Sequence, residues 1–458
     1  PQGNFPRPIT EGSEVGWVQN QNLHGSENVQ MLIVTDPLFI EQAEELAKLH
    51  REKDQLSVLV ATTTQIYNEF SSGTPDVSAI RDFARMLYKR SESSQQQLKY
   101  LLLFGDGSYY NHTGKKGNTN HILTYQSNAS LNHSDSYVSD DFFGFLDDNE
   151  GGSNQMPYYY LDIGVGRLTV NNIESAQGVV KKIKQYYQSG SMRDWRNKIM
   201  FVGDDGENND DIIFMNQANS LANWVSDQQP SLIIKKVMLD AYRQVSTSTG
   251  ARYPDVNKII YDNINNGILI FNYTGHGGEK GLSAEHILTR EDLKSLTNQY
   301  YPLFITATCE FSRFDDLSVN DNGEISESLS AGEASLINPN GGSIGLVSTT
   351  RVVYADNNHY LNTKFYTYAL QRDENGKYYR LGDIMRMTKN AVGIEQNKLN
   401  FILLADPAIR LPYRFQWNAR RAWVTSRKGT WTSRPFVSRT SATSAPSSPS
   451  TARISTSC

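Results

Sequence analysis

The sequence predicts an α/β protein built from two side-by-side α/β/α units with mostly parallel sheets. Short apolar strands alternate with longer stretches of helical periodicity, which is the pattern of a parallel sheet covered by helices. The pattern begins at Met31 and starts again after Arg196. With 458 residues, of which 38% are hydrophobic, the chain can form a large core without disulfide bonds. Collagen-like, coiled-coil and wholly disordered chains are excluded by this composition.

The first unit is predicted over residues 31–195, after a polar lead-in at 1–30. Its helices are expected at 40–50, at 77–89 with Ser78 as the cap, and at 173–187. A loop rich in Asp, Asn and Gly is expected at 107–157. The strands predicted from apolar and β-branched runs are Met31–Thr35, Leu56–Thr62, Tyr100–Phe104 and Tyr158–Val170.

The second unit is predicted over residues 196–413. Helices are expected at about 211–226, 254–266, 290–298, 354–370 and 381–392. The predicted strands are Lys198–Gly203, Leu232–Leu239, Gly267–Thr274, Pro302–Thr308, Gly342–Thr349 and Asn400–Leu404.

The last segment, 414–458, has a different composition from the rest of the chain. It holds eight of the 44 basic residues and no acidic residue, and it is rich in Ser and Thr. Such a stretch buries too little apolar area to fold, so we expect a disordered basic tail. The remainder has 36 basic against 49 acidic residues. Nucleic acid is therefore not an expected partner. No apolar run is long enough to span a bilayer, so no transmembrane segment is expected.

Two consecutive predicted strands of the second unit end in groups that suit nucleophilic catalysis. His276 follows one strand within a glycine-rich turn, and Cys309 follows the next. If these strands are parallel neighbours, both side chains emerge at the same edge of the sheet, where an imidazole can activate a thiol. The backbone N–H groups of Gly277 and Cys309 are then candidates for stabilising an oxyanion. Taken singly, a cysteine or a histidine at such a position is more often structural than catalytic. The prediction of catalysis therefore depends on finding both residues together.

Metal and cofactor sites are not clearly predicted, and we expect no cofactor. With two cysteines in the chain, a zinc site needing several thiolates is excluded. Two acidic loops, 139–150 and 204–211, offer oxygen ligands for a structural calcium ion. Neither has the spacing of an EF-hand, and a solvated loop is the default interpretation of both.

The residues around this pair resemble the gingipain family of cysteine peptidases, and more specifically the PorU-type sortases of the type IX secretion system. The run Tyr273–Gly278 contains His276, and the run Ala307–Asp315 contains Cys309. Ala405 departs from the glycine expected before Asp-Pro. Further blocks that carry the resemblance are Ile66–Asp76, Asp162–Arg167, Ser330–Glu333, Ser348–Val353 and Leu404–Ala408.

The resemblance implies a caspase-like fold with His276 and Cys309 as the catalytic dyad. It also implies an acid that orients the histidine, for which Asp147 and Asp162 are the candidates. Such sortases act on the outer face of the outer membrane, together with other type IX components. They remove the C-terminal signal domain from secreted proteins and join the cargo to an anionic lipopolysaccharide. Loops after the strands, including Glu333, Thr350 and Arg351, are expected to contact substrate.

Two alternatives remain open from the sequence. The first is a gingipain-type endopeptidase that cuts after a basic residue and needs an acidic pocket floor. The second is a non-catalytic scaffold for secreted cargo, in which Cys309 is inert. The choice between an amine and water as the acceptor separates a sortase from a peptidase, and no residue decides it.

Overall fold

In the computed structural model, the described residues are 20–413 except 93, 112–115, 130–131, 133–135, 189–192, 207–210 and 249. The predictions for residues 1–19 and for the tail at 414–458 therefore lie outside the described part of the chain.

The ten predicted strands occur close to their predicted positions, and seven short strands that the sequence did not indicate are present among the described residues. Their bounds are β1 Met31–Thr35, β2 Val58–Thr62, β3 Tyr100–Phe104, β4 Gly164–Leu168, β5 Lys198–Gly203, β6 Ile233–Met238, β7 Val245–Thr247, β8 Gly250–Arg252, β9 Ile270–Thr274, β10 Gly277–Gly278, β11 Gly281–Leu282, β12 Leu288–Thr289, β13 Leu303–Ala307, β14 Leu317–Val319, β15 Ile325–Glu327, β16 Gly345–Thr349 and β17 Phe401–Leu404.

The α-helices lie between these strands. Their bounds are α1 Ile40–Lys53, α2 Thr63–Phe70, α3 Val77–Arg90, α4 Ile173–Tyr186, α5 Ile212–Gln228, α6 Pro254–Asn266, α7 Arg290–Ser295, α8 Ala331–Ile337, α9 Ala355–Ala369, α10 Leu381–Val392 and α11 Asn397–Asn400. Among the described residues, none of these helices combines the length and apolarity needed to cross a bilayer.

Two main sheets form the architecture. The first has the order β2-β1-β3-β4 and is parallel throughout. The second has the order β17-β16-β13-β9-β5-β6, and in it only β17 runs antiparallel to its neighbour. Helices cover the sheets, so the predicted α/β class with mostly parallel sheets is confirmed. The exact boundaries at 195 and 413 stay a prediction.

Alternate residues of β1 and β3 point to opposite faces of the first sheet. Ile33 and Leu102 pack in the core with helices α1 and α4, whereas Val34 and Leu103 pack with α2 and α3. This two-sided burial explains why both strands are apolar at nearly every position. It also makes their bounds predictable from the sequence.

Glycines let β4 contact elements of the second unit. A Cβ on Gly166 would lie 2.3 Å from the carbonyl oxygen of Ala405, and a Cβ on Gly164 would lie 2.6 Å from the Gly382 backbone. Ala405 itself packs against Gly345, where an added Cβ would lie 2.3 Å from the Cβ of Ala405. The methyl group that departs from the family pattern is thus accommodated by a glycine on β16.

Two local predictions are wrong. Helix α3 is capped by Asp76, whose side chain accepts from the Ser78 N–H, so Ser78 lies inside the helix. Strand β4 is five residues long, shorter than predicted. Tyr158 and Tyr160, which suggested a longer strand, are 59% and 53% exposed and precede it. Helices α2, α8 and α11 were not predicted.

Candidate active site

The structure brings His276 and Cys309 to the same edge of the second sheet. Strands β9 and β13 are parallel neighbours, and Thr274 pairs with Ala307 at their carboxyl ends. Each of the two residues therefore lies two positions beyond a paired strand end. This is the placement that the sequence predicted for a catalytic pair.

A carboxylate lies at the ring of His276. Nε2 of His276 is 3.3 Å from Oδ1 of Asp211, whose side chain is 9% exposed and which lies at the start of α5. Phe214, in the first turn of α5, packs edge-on against the His276 ring, with 4.9 Å between the two ring centroids. In a neutral imidazole one nitrogen donates and the other accepts. A carboxylate at Nε2 favours the proton there, which leaves Nδ1 to accept a proton from a thiol.

The backbone of His276 is held from both sides. Its N–H donates to Oδ2 of Asp204 at 2.8 Å, and its carbonyl accepts from the Tyr273 hydroxyl at 2.6 Å. Burial raises the pKa of Asp204 to about 7, and the neighbouring Asp205 charge acts in the same direction. Gly275 is required at this turn, because a Cβ there would lie 2.3 Å from the Cβ of Asp204.

Cys309 is almost completely buried, with 3% of its surface exposed. The backbone of Val353 contacts its sulfur: the Val353 N–H donates to Sγ at 3.3 Å, and the Val353 carbonyl lies 3.6 Å from Sγ. In this conformation the carbonyl is also an acceptor for the thiol proton.

Gly277 lies directly against the end of β13. It forms β10, which pairs with β11, and a Cβ at this position would lie 2.6 Å from Oγ1 of Thr308. Glycine thus permits a close approach between the turn that carries His276 and the residue before Cys309. The proposed oxyanion role of the Gly277 and Cys309 N–H groups stays a prediction.

The structure places Asp147 and Asp162 at other contacts. Asp147 accepts from Lys89 at 3.3 Å, and Asp162 accepts from the Leu146 N–H at 2.8 Å. Both lie beside α3, a helix that covers the first sheet. The carboxylate found at the His276 ring is Asp211, and Asp211 therefore replaces Asp147 and Asp162 as the candidate orienting acid.

The three residues expected to contact substrate are buried. Glu333 completes the capping box of α8, whose N-cap is Ser330: its carboxylate accepts from the Ser330 N–H and Oγ at 2.9 and 2.7 Å. Arg351 makes a two-pronged ion pair with Asp315 at 2.7 and 2.6 Å. The Thr350 hydroxyl lies within hydrogen-bond distance of two backbone carbonyls, those of Val138 at 3.2 Å and Asn400 at 3.3 Å. Because these polar groups are used within the protein, the expectation of substrate contact needs correction for all three.

The two acidic loops differ in how their charges are satisfied. In the loop 139–150, Asp140 pairs with buried Arg167 at 2.7 Å, and Asp141 pairs with Lys389 at 2.6 Å. These cations neutralise Asp140 and Asp141. In the same loop, Asp147 and Glu150 offer oxygens within 4.8 Å of each other and of Asp162, and the expectation of a structural calcium ion stays a prediction. In the other loop, residues 207–210 are outside the described part, and Asp204 and Asp205 form a buried group with Glu285.

The sequence did not indicate Asp211 or Asp204 as partners of His276. Both lie in the acidic run after β5, and β5 is the parallel neighbour of β9 in the sheet. The signal was the acidic run at a strand end. To connect this acidic run with His276, the order of the strands in the sheet must be known, and the sequence does not provide that order.

The fold and this site together define a cysteine peptidase of caspase-like architecture. A model of peptidase family C25 matches residues 24–412, and the chain belongs to this family, the gingipain family. The resemblance predicted from the motifs is confirmed. A search of curated proteins finds no significant match.

Solved structures of gingipains share this fold. The complex of Porphyromonas gingivalis RgpB pro- and mature domains superposes with a TM-score of 0.62 at 16% identity, covering 83% of this chain and 79% of that chain. The Arg-specific proteinase gingipain R gives a TM-score of 0.61 at 16% identity, covering 85% and 80%. Dimeric latent PorU from P. gingivalis is 25% identical, with a TM-score of 0.44, and covers 86% of this chain and 31% of that chain.

Proposed function

We propose that this chain is the catalytic part of a sortase-type cysteine peptidase. It removes the C-terminal signal domain from type IX-secreted proteins and transfers the cargo to an amine of anionic lipopolysaccharide on the outer face of the outer membrane. Other components of the secretion system are its partners. Membership of family C25 supports peptide-bond chemistry. The sortase-like blocks at 66–76, 307–315 and 404–408 support the choice of cargo and acceptor.

The observation that carries the proposal is the paired ends of β9 and β13. They set His276 and Cys309 at one edge of the sheet, and Asp211 lies at the His276 ring. A thiol, an imidazole and an orienting carboxylate are the groups that acyl transfer through a thioester requires.

The reaction proceeds in two steps. The Cys309 thiol loses its proton to His276, and the sulfur attacks the peptide carbonyl before the signal domain. The C–N bond breaks, His276 gives the proton to the departing amine, and a thioester remains. A lipopolysaccharide amine then attacks the thioester carbonyl and gives a proton to His276, the C–S bond breaks, and His276 returns the proton to the Cys309 sulfur. Asp211 stabilises the imidazolium that forms in each step.

The test separates transfer from hydrolysis. The Cys458→Ser protein is incubated with a cargo protein that carries its signal domain, with and without amine-bearing lipopolysaccharide. Mass spectrometry of the new cargo C-terminus reports an amide or a free carboxylate. We expect the amide to increase with acceptor concentration, and Cys309→Ala to form neither product. A free carboxylate at every acceptor concentration would indicate an endopeptidase.

Alkylation of Cys309 gives a readout that needs no substrate. We expect fast reaction near neutral pH and a slower reaction in His276→Ala. Equal, slow alkylation in both proteins, together with no cleavage, would indicate the non-catalytic scaffold.

A further inference from the structure

A cleft of about 480 Å³ lies at the carboxyl ends of the strands of the first sheet. In the sheet order β2-β1-β3-β4, the chain passes from β1 to β2 on one side and then crosses to β3 on the other side of β1. Open parallel sheets bind ligands at such a point, where the loops after the two central strands diverge. The walls of this cleft, which we call the β1–β3 cleft, include Asp36, Thr63, Thr64, Tyr67, Asn68 and His121.

The charged groups of the β1–β3 cleft are already paired. Oδ1 of Asp36 accepts from the Leu38 N–H at 2.8 Å, and Oδ2 lies 3.1 Å from Nδ1 of His121. Within the described chain, no lysine or arginine lines the cleft. The Asp36 carboxylate also occupies the N-terminus of the helical turn Pro37–Phe39, where an anion would otherwise bind. A phosphate-bearing ligand is therefore disfavoured.

Uncharged polar groups of α2 form another wall of the cleft. Thr63, Thr64, Tyr67 and Asn68 supply three hydroxyls and one amide. Tyr67 is 9% exposed, and among the described residues its hydroxyl has no hydrogen-bond partner. Burial raises the pKa of Tyr67, and the charge of Asp36 acts in the same direction, so the phenol stays a donor. A buried hydroxyl without a partner calls for a ligand or a water.

We propose that the β1–β3 cleft binds an uncharged sugar ring of a glycan. Hydroxyl and amide groups both donate and accept, and so do the neighbouring hydroxyls of a sugar. Asp36 keeps free lone pairs that accept further sugar hydroxyls. The Tyr67 ring, Pro37 and Pro75 supply apolar surface for the C–H face of the ring. The volume lies within the range of about 300–1,000 Å³ that ligand sites in proteins occupy.

The loop that carries His121 also contacts the segment that follows Cys309. The Tyr109 N–H donates to the Asp315 carbonyl at 2.7 Å, and the Gln126 amide donates to the Asp315 carboxylate at 3.0 Å. One loop thus joins the β1–β3 cleft to the candidate active site. We assign the bound sugar to the acceptor glycan of the transfer reaction, and this assignment rests on the proposed function.

The binding test is an NMR titration of the full chain. The probes are the methyl glycosides of glucose, galactose and mannose, and the polysaccharide released from amine-bearing lipopolysaccharide by mild acid. The proteins are the wild type, Tyr67→Phe, Thr64→Trp and the matched control Tyr261→Phe, which changes a tyrosine 38% exposed on α6.

We expect the wild type and Tyr261→Phe to bind the polysaccharide and at least one glycoside with equal affinity. Tyr67→Phe loses one hydrogen bond to the ligand and should weaken binding about three- to tenfold. Thr64→Trp places an indole in the cleft from an exposed position and should abolish binding.

Three results would overturn the site: no binding of any probe by the wild type, equal affinity in all four proteins, or binding that disappears at high salt. The last would indicate attraction of anionic groups rather than recognition of an uncharged sugar. Titration of the wild type decides the matter even if a variant fails to fold.

The acceptor assignment has a separate readout, the lipopolysaccharide concentration that gives half-maximal amide formation. We expect Thr64→Trp to need more acceptor than Tyr261→Phe. Equal concentrations would leave the sugar site standing and remove its link to the acceptor. A wild type that binds the glycosides but forms no amide would keep the site and contradict the proposed function instead.

Discussion

His50 Nε2 lies 2.6 Å from a carboxylate oxygen of Asp406, although 356 positions separate the two residues along the chain. Both side chains are fully buried, and His50 Nδ1 contacts Asp54 at 2.7 Å. His50 belongs to α1 of the first unit, whereas Asp406 follows β17 of the second. The Asp-Pro motif of the family therefore contributes to the junction between the two units.

This junction predicts a loss of stability at alkaline pH. Burial alone would lower the pKa of His50, but the Asp406 and Asp54 carboxylates outweigh it and raise the pKa from 6.5 to about 9. The stabilisation is complete below pH 6.5 and is lost as the pH rises through 9. At about 1.4 kcal/mol per pKa unit, it amounts to about 3 kcal/mol. Thermal unfolding from pH 6 to 9 measures it.

His50→Gln should lack this part of the pH dependence. His286→Gln, at an exposed histidine away from the junction, serves as the control and should follow the wild type. The same slope in wild type and His50→Gln would contradict the prediction.

Asp211→Asn should slow Cys309 alkylation at neutral pH by roughly tenfold or more, and His276→Ala by about 10²–10⁴-fold. The amide keeps the size of the side chain but loses the charge that stabilises the imidazolium. The pH profile of alkylation should therefore move to higher pH. Asp227→Asn, an exposed change on the same helix, is the control. An unchanged profile in Asp211→Asn would remove Asp211 from the site.

Arg351→Met should destabilise the protein by about 3–5 kcal/mol, because it leaves the buried carboxylate of Asp315 unpaired. Lys258→Met breaks an exposed pair with Asp262 and should change stability by less than about 0.5 kcal/mol. Chemical unfolding compares the two variants. A stable Arg351→Met protein with a raised KM would instead restore Arg351 as a substrate contact.

Gly166→Ala should weaken the contact between β4 and the turn after β17. The added methyl group would meet the Ala405 carbonyl, and overpacking of this kind costs about 1–3 kcal/mol. Gly278→Ala is the matched control, since nothing lies within 4 Å of a Cβ there. Differential scanning calorimetry should show a lower Tm for Gly166→Ala alone, and equal Tm values would refute the packing argument.

The sequence predicts the bounds of buried parallel strands well and those of the exposed segments beside them poorly. The bounds of β1 and β3 are as predicted, because apolar residues face a core on both sides of the sheet. Tyr158 and Tyr160 misled because aromatic residues favour strands but also occur on exposed turns. The placement of His276 and Cys309 at one sheet edge was predictable because they follow consecutive predicted strands, which pair in parallel as β9 and β13.

Asp211 was not predictable in the same way. Asp211 follows β5, and two helices, strand β6 and two short strands separate β5 from β9 along the chain. Only the order of the strands in the sheet brings Asp211 close to His276. Glu333 and Arg351 show the opposite error. Polar residues after strands suggested a surface, whereas each is buried with a partner that no sequence pattern identifies.

Val353 makes the reactivity of Cys309 depend on a backbone movement. With 3% of Cys309 exposed and the Val353 N–H and carbonyl both at its sulfur, an electrophile reaches the thiol only after this segment shifts. The frequency of that opening then sets an upper limit on the inactivation rate. Above this limit, a more reactive electrophile does not increase the rate of inactivation. Selective inhibitors of this enzyme should therefore gain potency by binding and holding the open conformation.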